Sequence, residues 1–144
     1  AQGQVLLNME TLWQQAYPSE CVIVRPTGIY GTSVARMIKL AETTKAYPKL
    51  HWSNRIHVED LAAFLAHLLH VEHTEKSYIC TNSRPLPLHE IIQWFQQQLG
   101  LPALVLESNK SSGKQIYATR MQQMNFELQH PHCFDDYLAL LVER

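Results

Sequence analysis

Extended and helical segments alternate from one end of this chain to the other, and that order predicts an α/β protein. Two short runs, Cys21–Val24 and Ser77–Thr81, carry the strand expectation. The first is apolar and β-branched without alternation, the pattern of a strand covered on both faces in a parallel sheet. Around them lie stretches whose apolar residues recur every three or four positions, as on the buried face of a helix. With 144 residues, 46% hydrophobic and 17% charged, the chain has the size and composition of one globular domain. Two strands do not make a stable doubly covered sheet, so further chain or a partner is expected beside them.

Residues 3–16 place Leu6, Met9, Leu12, Trp13 and Ala16 at helical spacing with glutamines opposite, and Tyr17-Pro18-Ser19 stops this helix. The strand at 21–26 ends at Arg25-Pro26-Thr27-Gly28, because proline cannot donate to a ladder. A helix over about 33–43 (Val34, Met37, Ile38, Ala41) leads to a turn at Tyr47-Pro48. A strongly amphipathic helix follows over 58–73, with Val58, Leu61, Leu65, Leu68 and Leu69 as its core face. Glu59 and Asp60 sit in its first turn, where carboxylates complement the helix dipole. After the strand at 77–81, Pro85-Leu86-Pro87 introduces a helix over 88–99 that Gly100 caps. A short strand at 103–106 precedes a polar loop, Ser108–Lys114, expected to be mobile. Helix 118–124, extended 126–129 and helix 134–143 complete the chain.

Twelve Lys and Arg against thirteen Asp and Glu give a net charge of −1, not the basic footprint of a nucleic-acid or anionic-membrane binder. No stretch approaches the ~20 apolar residues of a membrane span. Ala1-Gln2-Gly3-Gln4 lacks the basic start and apolar core of a signal peptide, and the sequon Asn109-Lys110-Ser111 has no secretory context. Cys21, Cys80 and Cys133 are odd in number and far apart, which reads as small buried hydrophobes in a reducing compartment. A cytoplasmic location is expected. Only Gly28 and Gly31 among the five glycines lie close together, so no Gly-rich phosphate loop can be assembled.

Two segments could carry chemistry. Arg25-Pro26-Thr27-Gly28-Ile29-Tyr30-Gly31 leaves the carboxyl end of a strand, the place where open α/β sheets bind ligands, though it reads equally as a tight turn. Asn54-Arg55-Ile56-His57-Val58-Glu59-Asp60 sets a cation and an imidazole immediately before a helix N-terminus, an anion-facing location. The histidines offer a third idea. His67, His70 and His73 recur on one helix, and His130 and His132 flank Pro131, so a zinc or nickel site is conceivable. Helical metal pairs favour i, i+4 spacing and no acidic or cysteine ligand falls in register, so no metal is expected.

In order and spacing, VIVRPTGIYG, NRIHVEDLA, YICTNSRPLPLHEIIQWFQQQLGLP and RMQQMNFELQHPHCFDDYLALL resemble the carboxyl half of extended and atypical short-chain dehydrogenase/reductases. The nearest likeness is to the NAD(P)-dependent epimerase/dehydratase group. The resemblance implies the last strands of a Rossmann-type parallel sheet plus a small α/β substrate-binding lobe, incomplete without upstream residues. Residues 1–81 would carry the Rossmann-like part with an inserted lobe segment, and 82–144 mainly the lobe. It further implies NAD or NADP as cofactor, bordered at its nicotinamide end by Pro26, Thr27, Gly28 and Tyr30, with Arg55 and His57 near a small-molecule substrate.

The family's proton chemistry rests on a Tyr-x-x-x-Lys pair. None of the six tyrosines has a lysine four positions on, so the catalytic pair and the dinucleotide loop are expected upstream and this chain alone inactive. In sugar-nucleotide epimerases a phosphate-binding arginine stands four residues before the histidine; Ser53 holds that place here, and Arg55 stands two before. A missing amino-terminal half or a second copy is the expected partner, in a homo-oligomer without nucleic acid or membrane. A non-catalytic interaction or regulatory module keeping the dehydrogenase-like shape is the alternative reading.

Overall fold

The computed structural model describes residues 1–143. The two expected strands do meet: β1 (Ile23–Pro26) runs parallel to β6 (Ser77–Cys80), with Ile23 opposite Ser77 and Pro26 opposite Cys80. A second parallel pair lies just beyond, β2 (Gly28–Tyr30) with β5 (Arg55–His57). The segment that could be a tight turn is therefore mostly strand. Three-residue strands are too short to show a period of two, which is why the pattern hid them. Two further small sheets form, β3 (Ala46–Tyr47) with β8 (Val105–Leu106), and β4 (Leu50–Ser53) between β7 (Leu86–Pro87) and β9 (Ser111–Gly113). The polar loop at 108–114 thus contributes a strand, and Ser112 Oγ lies 2.9 Å from His51 Nδ1.

The helices are α1 (Gln2–Ala16), α2 (Ala35–Thr43), α3 (Val58–Leu68), α4 (Leu88–Gln98), α5 (Thr119–Gln123) and α6 (Cys133–Val142). They gather the core into two clusters. In one, Val34 and Ala41 meet Ile91, Phe95, Cys133 and Tyr137, so α2, α4 and α6 share it. In the other, Ile56 and Phe64 meet Tyr78, Cys80, Ala118 and Met121, joining β5, α3, β6 and α5. Gln96 ties the first cluster to the chain around it. Fully buried, it donates to the carbonyls of Ala41 and Thr44 and accepts from the Leu104 N–H.

Burial sharpens the sequence reading in three places. Helix α1 buries nothing: Leu6 and Leu12 are 61% and 64% exposed, and Met9 and Trp13 are exposed with them. It is tied to β1 by the Arg25–Glu10 ion pair, in which Arg25 Nε donates to Glu10 Oε1 at 2.9 Å. Strand β1 has the covered-strand pattern without the cover, as expected where further chain or a partner belongs beside it: Arg25 and Pro26 are exposed and Ile23 and Val24 half-buried. Finally, the expected core face of α3 holds only in part: Val58 is half-buried and Leu61 and Leu68 pack against the second cluster, but the helix stops at Leu68, Leu65 is exposed and Leu69 84% exposed, while Asp60 and Phe64 turn inward. The reason is polar. Both Asp60 carboxylate oxygens accept backbone N–H groups, from Gln129 at 2.8 Å and His130 at 2.9 Å, which rotates the helix so that this side faces the 126–132 segment.

Candidate functional site

Strands β2 and β5 open onto a cleft of about 320 Å³ whose walls include residues of α2 and α4. Gly28, Tyr30 and Arg55 line it, together with Ser33, Arg36 and Ser53. The other three predicted site residues lie behind or beside it. Pro26 is exposed at the end of β1. Thr27 spends both its N–H and its hydroxyl on the Cys80 carbonyl, at 3.1 and 3.3 Å, which fastens the end of β1 to β6. His57 packs beneath the rim. Gly28 donates its N–H to the Asn54 carbonyl, and a side chain there would begin 3.1 Å from that oxygen, so close strand approach requires the glycine.

Arg55 is only 5% exposed. Its carbonyl accepts from the Asn82 N–H and the Thr81 hydroxyl, which fixes the strand under the guanidinium. Nη2 donates to Ser53 Oγ at 2.5 Å, whereas Nη1 has no hydrogen-bond partner. No carboxylate pairs with Arg55 among the described residues. Its charge faces Cys133 and Tyr137. Burial pushes both groups up, Tyr137 to about 12, and the guanidinium works against that push in each case. Both stay protonated at neutral pH.

His57 caps α3: its Nδ1 accepts the Glu59 N–H at 3.2 Å. The ring stands edge-on to Tyr30 and lies flat against His130, with centroids 3.6 Å apart. Gly31 completes the enclosure. At φ +115° it occupies the left-handed region, and a Cβ there would fall 2.3 Å from His57 Nε2. His130 is held at both nitrogens, Nδ1 by Asp136 Oδ1 at 2.6 Å and Nε2 by Glu59 Oε2 at 3.0 Å. Asp136 also accepts from the Tyr30 hydroxyl at 2.6 Å. A chain of polar contacts therefore runs from the cleft wall at Tyr30 through Asp136 and His130 to the exposed Glu59.

The electrostatics split the stacked pair. Burial, and then the charge of His130, hold His57 below the ordinary histidine value. Burial also pulls His130 down, but hydrogen bonds to Asp136 and Glu59 outweigh it and His130 ends up raised. Tyr30 is raised well above the usual phenol value by burial and by Asp136. So the proton of the pair belongs on His130, and His57 and Tyr30 remain neutral.

Sequence reasoning named Tyr30, Arg55 and His57 but not Asp136 or Glu59 as site groups, and it noted His130 only beside a conceivable metal. His57, Glu59 and His130 do bring three ligand atoms within 4.8 Å of one another. Stacked imidazoles point their in-plane lone pairs side by side and not at a common centre, and His57 Nδ1 is committed to the helix cap.

No protein-family profile and no curated protein sequence matches the chain. Solved structures do. A Methylobacillus flagellatus protein assigned as an NAD-dependent epimerase/dehydratase is 31% identical, with a TM-score of 0.77, over 98% of this chain and 52% of its own. The dTDP-glucose 4,6-dehydratase of Bacillus anthracis, solved with NAD, is 14% identical with a TM-score of 0.68, over 94% of this chain and 49% of its own. The UDP-N-acetylglucosamine 4-epimerase of Bacillus cereus is 12% identical with a TM-score of 0.66, over 93% and 54%. At these lower identities the likeness is one of fold. The chain spans about half the length of each of these structures. In fold and in the order of its motifs the chain is thus similar to solved structures of NAD-dependent epimerase/dehydratases, and it fits about half of each, as a carboxyl-terminal half would.

Proposed function

We propose that this chain supplies the carboxyl-terminal half of an NAD(P)-dependent oxidoreductase, epimerase or dehydratase acting on a small or sugar-like hydroxy or carbonyl substrate. One observation supports it above the rest. The parallel pair β2 and β5 lines the cleft with Gly28, Tyr30 and Arg55, and Tyr30 at the carboxyl end of β2 stands in its wall, the kind of place where open α/β sheets take their ligands. In this reading residues 1–81 contribute the last sheet strands with an inserted lobe segment, and 82–144 mainly the substrate lobe.

The residues fit the nicotinamide end of a dinucleotide in shape more than in hydrogen bonding. Pro26 is open at the strand end, and Gly28 keeps the cleft wall free of side chain. Thr27 and Tyr30 have their hydroxyls committed to Cys80 and Asp136, so they would border the group without grasping it. When bound, NAD or NADP supplies the hydride donor or acceptor. Arg55 and His57 position the substrate, His57 as a neutral ring fixed by its cap and its stack. The Gly-rich loop and the Tyr-x-x-x-Lys pair are not in these 144 residues, so the chain alone is expected to be silent. A nucleotide-binding half or a second copy would cover α1 and β1, in a cytoplasmic homo-oligomer. No described helix is long and apolar enough to cross a membrane.

Calorimetric titration of NADH and NADPH into the chain tests the division of labour. No binding in the low micromolar range is expected, and tight binding by the chain alone would overturn it.

A further inference from the structure

A buried guanidinium is costly to desolvate, and proteins offset the cost with a carboxylate or a full set of hydrogen bonds. Arg55 has neither. It is 5% exposed, shares one nitrogen with a neutral serine, and leaves Nη1 without a partner. Its protein neighbours Cys133 and Tyr137 are both pushed towards their neutral forms by burial. Arg36, at the start of α2, brings a second guanidinium to the same cleft. Ser33 and Ser53 add hydroxyls, and the lining contains no aspartate or glutamate. The nearest carboxylate in the polar chain, Asp136, is engaged by Tyr30 and His130.

We infer that the cleft is an oxyanion subsite: the substrate carries a carboxylate or a phosphoryl group, held between Arg55 and Arg36. This rests on the reading of the cleft as the substrate site and names the chemical class that enters it. Planar guanidinium forks suit both oxyanions, because each offers paired oxygens to parallel N–H groups. An oxyanion in the cleft would be the anionic partner that Arg55 lacks among the described residues, and Arg36 lines the same cleft from α2. A cleft of about 320 Å³ lies at the small end of ligand sites, so the molecule bearing the oxyanion is compact.

Succinate and inorganic phosphate, titrated separately into the chain at low ionic strength with chloride as the matched control, read the subsite and distinguish its two sources. One-to-one binding of succinate alone assigns a carboxylate; binding of phosphate alone assigns a phosphoryl group. Arg36→Gln, on an exposed helix start, should weaken the bound anion about tenfold by removing a charge-assisted hydrogen bond. Arg55→Lys, which keeps the charge and loses the fork, should weaken it at least as much, and circular dichroism checks its fold. Equal, weak responses to succinate, phosphate and chloride, or binding that Arg36→Gln leaves unchanged, would overturn the inference. The titration contains no dinucleotide, so that failure would leave the cofactor reading standing, and a failure of the cofactor reading would leave the subsite standing.

Discussion

Two regions of this molecule have similar sequences and opposite fates. Helix α4 and helix α1 are both amphipathic, both rich in glutamine and leucine or isoleucine, and each carries a tryptophan. Helix α4 buries Ile91, Ile92, Phe95 and even His89 and Gln96 between α2, α6 and the small sheets. Helix α1 buries nothing and leaves Leu6, Met9, Leu12 and Trp13 in solvent. The segregation of apolar from polar residues is weaker along α1 than along α4 but present in both, so it reports that a face is meant to be covered and says nothing about what covers it. Contiguous apolar surface of this kind on a folded chain marks an interaction site or an aggregation hazard. Under the proposed function it is where a nucleotide-binding half belongs.

The sharpest way to break the contrast is to cut into each side. Phe95→Ala opens a cavity beneath Tyr137 and Trp94 and should cost about 4 kcal/mol. Leu12→Ala on α1 should change stability by less than about 0.5 kcal/mol, since that side chain is 64% exposed. Chemical denaturation of the two variants measures both, and a comparable loss at Leu12 would show that α1 is packed after all. Asp60→Asn should cost about 2 kcal/mol, because an amide cannot accept both the Gln129 and His130 N–H groups as the carboxylate does. Gly31→Ala forces a side chain into His57 at positive φ and should cost about 1–3 kcal/mol, with a shifted His57 ring signal in NMR.

The smallest effect is that of pH. His130, raised in the folded chain, adds stability that is complete below about pH 6.5 and is lost as pH rises through its own higher value. His57, lowered, costs stability as pH falls from about 6.5 through its own lower value. The stacked pair therefore contributes most near pH 6.5. Melting temperatures of His130→Gln against pH should lose the decline on the alkaline side and keep a softened one on the acid side. An unchanged alkaline decline would remove His130 from the account. Light scattering supplies the companion test for α1: the chain should associate, and a monodisperse, heat-stable monomer would contradict the reading of its exposed face.

Much of the fold was legible because helical spacing is a strong signal. Residues 3–16, 33–43 and 88–99 were recognisable from their apolar positions and stop residues, and they form α1, α2 and α4 within two residues at each end. The short strands β2 and β5 were not legible. Their residues are held by pairing with each other, and Arg55 and His57 are buried where polarity predicts exposure. The core face of α3 is legible only at Leu61 and Leu68, since the hydrogen bonds that draw Asp60 inward come from residues about 70 positions away. At the site, local motifs were enough to single out Tyr30, Arg55 and His57. Asp136 stands 106 positions from the tyrosine it holds, and no local pattern records that distance. The one available signal was His130 in the His-Pro-His segment followed by two aspartates opening the last helix.

The central claim, that this chain is the substrate-side half of a dinucleotide enzyme and that α1 and β1 face the other half, has a direct test. The amino-terminal half of the Methylobacillus flagellatus protein, joined ahead of Ala1, should cover α1 and restore NADH or NADPH binding, read by nicotinamide fluorescence and by slowed hydrogen exchange across residues 2–26. Binding by the fusion with α1 protected, and none by the chain alone, is the predicted result. A fusion that folds and binds the dinucleotide while α1 exchanges as fast as in the separate chain would contradict it.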